Sequence, residues 1–229
     1  ERRKLMDSLL SQMHPEYLMY LIAYNKVLVQ RNSLLKQAGE TGELDQILLE
    51  TLNDQLVKHG NFIFEYRKQL IDAYLPKILA LYQTLAGQDD QIHIQYQSQL
   101  QQQSFSDLLN QSLAKDKILQ RTNVGIHKDD LVITIQGQPF KQEASQGQRK
   151  SLLFAIRLAE WELIKENKGF APILLMDDIF EKLDEDRMIQ LLAWVSHSTD
   201  GQVFITDTHK HRVAELLGKH LDSYQLIEL

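Results

Sequence analysis

Residues 173–184 read Ile-Leu-Leu-Met-Asp-Asp-Ile-Phe-Glu-Lys-Leu-Asp, an apolar run closed by two adjacent acids. A run of this kind predicts a strand in a sheet covered on both faces, and a rigid strand delivers carboxylates at its carboxyl end, where α/β sheets bind ligands. Ser145-Gln146-Gly147-Gln148 begins 28 residues earlier and opens a segment of helical periodicity. Free backbone N–H groups and the positive end of a helix dipole attract phosphate at such a start. Together the two stretches read as half of a magnesium–nucleotide site.

The other half is not in the sequence. A P-loop needs Gly-x-x-x-x-Gly-Lys-Ser/Thr. The one Gly-Lys pair, Gly218-Lys219, has Val213 at the first glycine and His220 at the hydroxyl. The chain opens Glu1-Arg2-Arg3-Lys4 without an initiator Met, and it reads as the carboxyl-terminal part of a longer protein whose P-loop lies upstream. On this reading it does not cradle ATP alone.

Within the half-site each residue has a plain structural reading beside the functional one. Ser145-x-x-Gln148 is a capping-box pattern, while Gly147 lets another molecule approach the backbone closely. Arg149 and Lys150 place cations in a first helical turn, where the dipole disfavours them unless an anion compensates. Asp177 and Asp178 are strand-end acids whose side chains point to opposite sides, so they do not chelate one ion together. Asp177 is the natural holder of Mg²⁺ through its water shell, and Asp178 the natural base or positioner for an attacking water. Asp184 suits a helix N-cap. Asp207 and His209 follow a predicted strand at 203–206, where a polar group would sense a γ-phosphate or His209 would simply begin a solvated helix. Gly125-Ile126-His127-Lys128-Asp129-Asp130 is either a solvated turn or a ligand contact.

Two textures divide the chain. Residues 1–121 predict an all-helical lobe with one small strand. Helical segments meet at His14-Pro15, a loop falls at 39–42, and a long amphipathic helix follows from Leu44, with a possible break at Gly60-Asn61 and a kink at Pro76. Strict alternation at 92–97 predicts a half-buried strand, and Ser104 starts another helix. Residues 122–229 alternate strands and helices: strand 131–135, a helix closed by Gly169, strand 173–177, helix 185–197, strand 203–206, helix 209–217 and a strand near 224–227. That order predicts an α/β fold with a mostly parallel sheet.

Composition excludes several classes. No cysteine occurs among the 229 residues, which rules out disulfides, a thiol nucleophile and thiolate zinc. No apolar run reaches the roughly 20 residues of a membrane helix, so the expectation is a cytoplasmic protein with no membrane partner. Net charge is −6, with 13 basic and 14 acidic side chains in 1–121 against 12 and 17 in 122–229. Duplex binding leaves a cationic footprint, so a DNA site here is a local patch or is completed elsewhere.

Several stretches resemble the RecF family of bacterial DNA replication and repair ATPases, related to SMC and ABC-type enzymes. Glu1-Arg2-Arg3-Lys4-Leu5-Met6-Asp7 and Tyr24-Asn25-Lys26-Val27-Leu28-Val29-Gln30-Arg31-Asn32 are similar to its Arg-Arg-x-Phe-Leu-Asp and Tyr-x-x-x-Leu-x-Gln-Arg-Asn stretches. The 125–130 segment resembles its Gly-Pro-His-Arg-x-Asp, with Ile126 in place of proline, and Ser145-Gln146-Gly147-Gln148 resembles its ABC signature. The resemblance implies the distal part of an ABC-type P-loop ATPase head, with a helical lobe inserted before the signature. It implies that Ser145, Gly147 and Gln148 act in trans on ATP held by a second subunit, with Asp177 on Mg²⁺, Asp178 on water and Asp184 in a dimer-facing D-loop. It also implies an ATP-dependent homodimer, binding of gapped or junction DNA, and RecR and RecO partners. Glu181-Lys182 departs from the family's Ser-Glu, and Asp207 stands where relatives carry a switch histidine, with His209 two residues on. The alternative is a non-catalytic interaction lobe of another SMC-like ATPase.

Overall fold

Proline at a first helical turn and an extended residue before it set the first boundary: His14 has φ −132° and ψ 100°, and α2 (Pro15–Thr41) follows α1 (Arg2–Met13) directly. The computed structural model describes residues 2–177, 179, 183–198, 200–207, 217–219 and 224–227. These fall in two units, Glu1–Asp72 with Ile94–Val132 and Ala73–His93 with Ile133–Leu229. Compactness therefore cuts the chain elsewhere than at the 121/122 change of texture. The reason is that α3 (Gln46–Ala86), β1 (Ile92–Gln97) and β2 (Asp130–Ile135) each contribute residues to both units.

In the first unit, α2 extends through the expected loop at 39–42, and Gly42 closes it in the left-handed region (φ 79°) by donating its N–H to the Ala38 carbonyl. The long helix is likewise unbroken at Gly60-Asn61 and continues through Pro76. Gly60 is a packing residue: a Cβ there would meet the Phe105 ring at 2.5 Å. Phe105 begins α4 (Phe105–Leu119), which Ser104 caps by accepting from the Asp107 N–H at 3.1 Å.

Two buried arginines organise this unit. Arg31 on α2, with no exposed surface, donates to Asn53 on α3 at 2.7 Å and to Asp116 on α4 and Thr122 at 2.8 Å each. Arg67 on α3 donates to Asp129 at 2.7 Å, the Ile126 carbonyl at 2.8 Å and Asp7 on α1 at 2.9 Å. Buried cations persist only where paired and hydrogen-bonded, and each of these joins helices to the 122–129 segment.

The second unit holds the α/β part. β2 turns through Gln136 and Gly137, both at positive φ, into β3 (Gln138–Pro139), with Thr134 opposite Pro139 and Ile135 opposite Gln138. The sheet order is β1-β2-β3. After α5 (Phe140–Glu143) comes α6 (Gln146–Lys168), ended by Gly169 at φ 74°. Tyr74 and Lys77 near the end of α3 bond the Ile156 carbonyl (3.1 Å) and Glu166 (2.7 Å) of α6. β4 (Leu174–Asp177) pairs in parallel with β5 (Val203–Thr206), from Leu174↔Val203 to Asp177↔Thr206, and α7 (Glu185–Ser198) connects them. Trp161 of α6 donates to the Pro172 carbonyl at 2.9 Å and meets Trp194 of α7 edge-on at 5.7 Å.

Two expectations fail here. The strand at 173–177 is not covered on both faces: Leu175 of β4 and Phe204 opposite it on β5 are 72% and 50% exposed, and Ile173 just before β4 is 60% exposed. No strand forms at 224–227, where the backbone is irregular. The predicted helix at 209–217 lies almost wholly outside the described residues. The parallel pairing of 174–177 with 203–206 is as the α/β alternation predicts.

Candidate functional site

Ser145 takes extended backbone (φ −62°, ψ 165°) ahead of a helix of 23 residues, and both halves of the capping box form. The Gln148 N–H donates to Ser145 Oγ at 3.2 Å, and the Ser145 N–H donates to Gln148 Oε1 at 2.8 Å. The structural reading of this motif is thus realised. It does not consume the helix start, because Ser145 and Gln146 are exposed and the first turn holds no acid. Arg149 turns back to the Lys141 carbonyl at 3.0 Å.

Gly147 is occupied from within its own chain. A Cβ built there would lie 3.0 Å from Nη1, 3.1 Å from Cζ and 3.1 Å from Nη2 of Arg187. The openness expected at this glycine is therefore filled, on its Cβ side, by the guanidinium. Arg187 Nε donates to Ser151 Oγ at 2.8 Å, one helical turn beyond Gly147. Asp184 caps α7, accepting the Arg187 N–H on Oδ1 at 3.0 Å, and its Oδ2 receives Arg187 Nη1. Gly147, Ser151, Asp184 and Arg187 are thus one cluster joining the starts of α6 and α7.

At the acidic edge, Asp177 is exposed at the last position of β4 and accepts from Thr206 Oγ1 at 2.5 Å. Asp207 follows directly. Asp178 and His209 lie outside the described residues, as do Glu181 and Lys182. Among the described residues no group of three or more His, Cys, Asp or Glu side chains is placed to hold a metal, so a cation here would rest on Asp177 and on groups beyond these. No described helix is long and apolar enough to cross a membrane. Sequence reasoning missed Arg187. Its one signal was a cation three residues after a candidate N-cap acid.

The 125–130 segment is neither a solvated turn nor an open ligand site. Gly125 adopts φ 115° and packs against Phe105 and Tyr24. Asp129 is buried between Arg67 and the Tyr96 hydroxyl (2.6 Å). His127 bonds Tyr24 Oη at 2.8 Å through Nδ1 and the Thr122 carbonyl at 3.2 Å through Nε2. A carbonyl only accepts, so Nε2 carries the proton and Nδ1 accepts from Tyr24. Burial pushes the His127 imidazole down to about 4, with Lys128 and Arg3 adding to the effect against the Thr122 bond.

No protein-family profile matches the chain. It is 41% identical over 228 residues to the DNA replication and repair protein RecF of Flavobacterium johnsoniae, covering 100% of this chain and 64% of that one. RecF of Bacteroides fragilis is 35% identical over 229 residues, with 61% of its length covered. A solved structure described as the recombination mediator protein RecF-ATP in the RecFOR pathway superposes with a TM-score of 0.78 at 26% identity, over 91% of this chain and 57% of that one. The corresponding RecF-ATPrS structure gives 0.78 at 27% identity.

The chain belongs to the RecF family. Its fold is accordingly that of these RecF structures, α/β with a helical lobe. The 229 residues span less than two thirds of the length of these curated RecF relatives. In this RecF-family chain three of the stretches that carry the resemblance, 1–7, 24–32 and 125–130, meet in the polar network around Arg31 and Arg67. Asp7, Tyr24, Arg31, Asn32, His127 and Asp129 all hydrogen-bond within it. Those motifs mark the packing of the helical unit.

Proposed function

We propose that this chain supplies one face of an ATP-driven clamp in DNA replication and recombinational repair: the signature helix and acidic edge that close on a nucleotide held by a second subunit. The observation that carries this reading is the exposed start of α6, a 23-residue helix with Ser145 at its cap and no acid in its first turn, in a chain similar to RecF-ATP structures. Such a terminus offers oriented N–H groups and a positive field to an anion.

In this proposal Ser145, Gly147 and Gln148 contact the terminal phosphate of ATP across the dimer. An exposed strand-end carboxylate is the donor type that Mg²⁺ accepts through its water shell, which suits Asp177; when bound, the ion neutralises charge developing on the phosphates. Asp178 holds and deprotonates the attacking water, Asp207 and His209 sense the terminal phosphate, and Asp184 faces the partner. Assembly on gapped or junction DNA, with RecR and RecO as protein partners in the cytoplasm, extends the reading to the whole protein, a weak DNA-dependent ATPase.

The test uses the full-length protein with DNA. Ser145→Arg is expected to leave nucleotide binding intact and abolish ATP-dependent dimerisation in sedimentation, because a bulky cation replaces the capping hydroxyl. Asp177→Ala is expected to lower turnover at least tenfold. Wild-type turnover in both variants overturns the site assignment.

A further inference from the structure

The Arg187 guanidinium lies across Gly147 with Cζ, Nη1 and Nη2 all 3.0–3.1 Å from the Cβ position. Three nearly equal distances mean that its plane faces the first turn of α6. The same group reaches Ser151 Oγ through Nε at 2.8 Å and Asp184 through Nη1, while its backbone N–H is capped by Asp184 at 3.0 Å. Ser151 is wholly buried, and the Arg187 side chain is only 21% exposed. One planar cation thereby ties the loop-facing acid of α7 to the turn that carries Ser145 and Gln148.

Neither bond is needed for helix stability alone. Asp184 already caps α7 through the Arg187 backbone N–H, and Ser145 with Gln148 already caps α6. A positive charge beside a helix N-terminus is also electrostatically unfavourable unless compensated, and Asp184 compensates it here. A planar fork with several donors holds two elements in a fixed mutual orientation, which a lysine ammonium does not do.

We propose that Arg187 is a positioning residue: it couples Asp184 to the signature turn, so that contact of a second head with Asp184 and contact of the α6 start with phosphate are made or lost together. This rests on the clamp reading above. It also gives Gly147 a specific reason to be glycine, since even a single Cβ there requires the guanidinium to give by a few tenths of an ångström.

The experiment is ATP-dependent dimerisation of the full-length protein, followed by sedimentation, beside thermal unfolding and nucleotide binding to the monomer. Arg187→Ala is expected to weaken dimerisation roughly tenfold, the scale of a typical coupling between sites, with monomer nucleotide affinity unchanged. Arg187→Lys is expected not to rescue it. Gly147→Ala is expected to weaken dimerisation in the wild-type background and to add nothing in Arg187→Ala, because the clash is then absent. Ser151→Ala, which removes the Nε bond alone, is expected to weaken dimerisation less than Arg187→Ala and covers the case in which that variant fails to fold. Dimerisation at wild-type strength in a folded Arg187→Ala, or in Ser151→Ala where Arg187→Ala does not fold, overturns the coupling while leaving the clamp intact. So does a full additional loss from Gly147→Ala in the Arg187→Ala background. Failure of the wild type itself to dimerise with ATP overturns the clamp reading instead.

Discussion

Arg67 carries its charge with 1% of its surface exposed, between Asp7 and Asp129. Removing one partner of such a pair leaves an uncompensated buried charge, which costs about 3–5 kcal/mol. Arg67→Met is therefore expected to lower unfolding free energy by that order in urea titration, and adding Asp129→Asn is expected to recover part of it. A double variant no more stable than Arg67→Met would show that the loss lies in packing. His127 makes a second prediction. Its imidazole titrates near 6.5 in the unfolded chain and at about 4 in the fold, so the unfolded chain takes up the proton first. Its contribution is complete above pH 6.5 and falls as pH drops toward 4, by up to ~3 kcal/mol. His127→Gln is expected to be less stable at pH 7 but to lose less between pH 7 and 5, measured by urea unfolding. Imidazole NMR of the wild type is expected to show a neutral ring protonated on Nε2 at pH 5.

At the scale of elements, two glycines in helices make opposite predictions. Replacing an interior glycine by alanine favours a helix by about 1 kcal/mol. At Gly60 the new Cβ meets the Phe105 ring at 2.5 and 2.8 Å, and overpacking of that kind costs about 1–3 kcal/mol, so Gly60→Ala is expected to lower Tm. At Gly39 the nearest atoms belong to the amide end of Gln120, an exposed and flexible side chain, so Gly39→Ala is expected to raise it. The contrast explains what could be read from sequence. The helix boundaries at His14-Pro15, Ser104, Ser145 and Gly169 were legible because each is decided within four residues. Gly60 reads as a helix break from its neighbours alone, and only Phe105, 45 positions on, reveals it as a packing site. Arg31 and Arg67 look like surface cations for the same reason, since their acids lie 85 and 62 residues away. At the candidate site Asp177 and Ser145 were legible from strand and helix patterns, whereas Arg187 over Gly147 depends on a contact across 40 residues.

For the whole molecule, magnitudes decide whether the chain holds nucleotide without another polypeptide. The sequence contains a signature-like helix start but no Gly-x-x-x-x-Gly-Lys-Ser/Thr. A helix terminus contributes typically 0.3–1 kcal/mol toward an anion, and about 2 in favourable partly buried sites. A Kd of 1 mM already requires about 4 kcal/mol, and 1 μM about 8. The exposed start of α6 alone therefore gives binding weaker than about millimolar. Calorimetric titration of the 229-residue chain with Mg²⁺-ATP is expected to show no micromolar binding, and the full-length protein under the same conditions is expected to show it. Micromolar affinity in the chain alone would place a complete phosphate cradle inside it, and ATP would not need a second subunit's P-loop to be held.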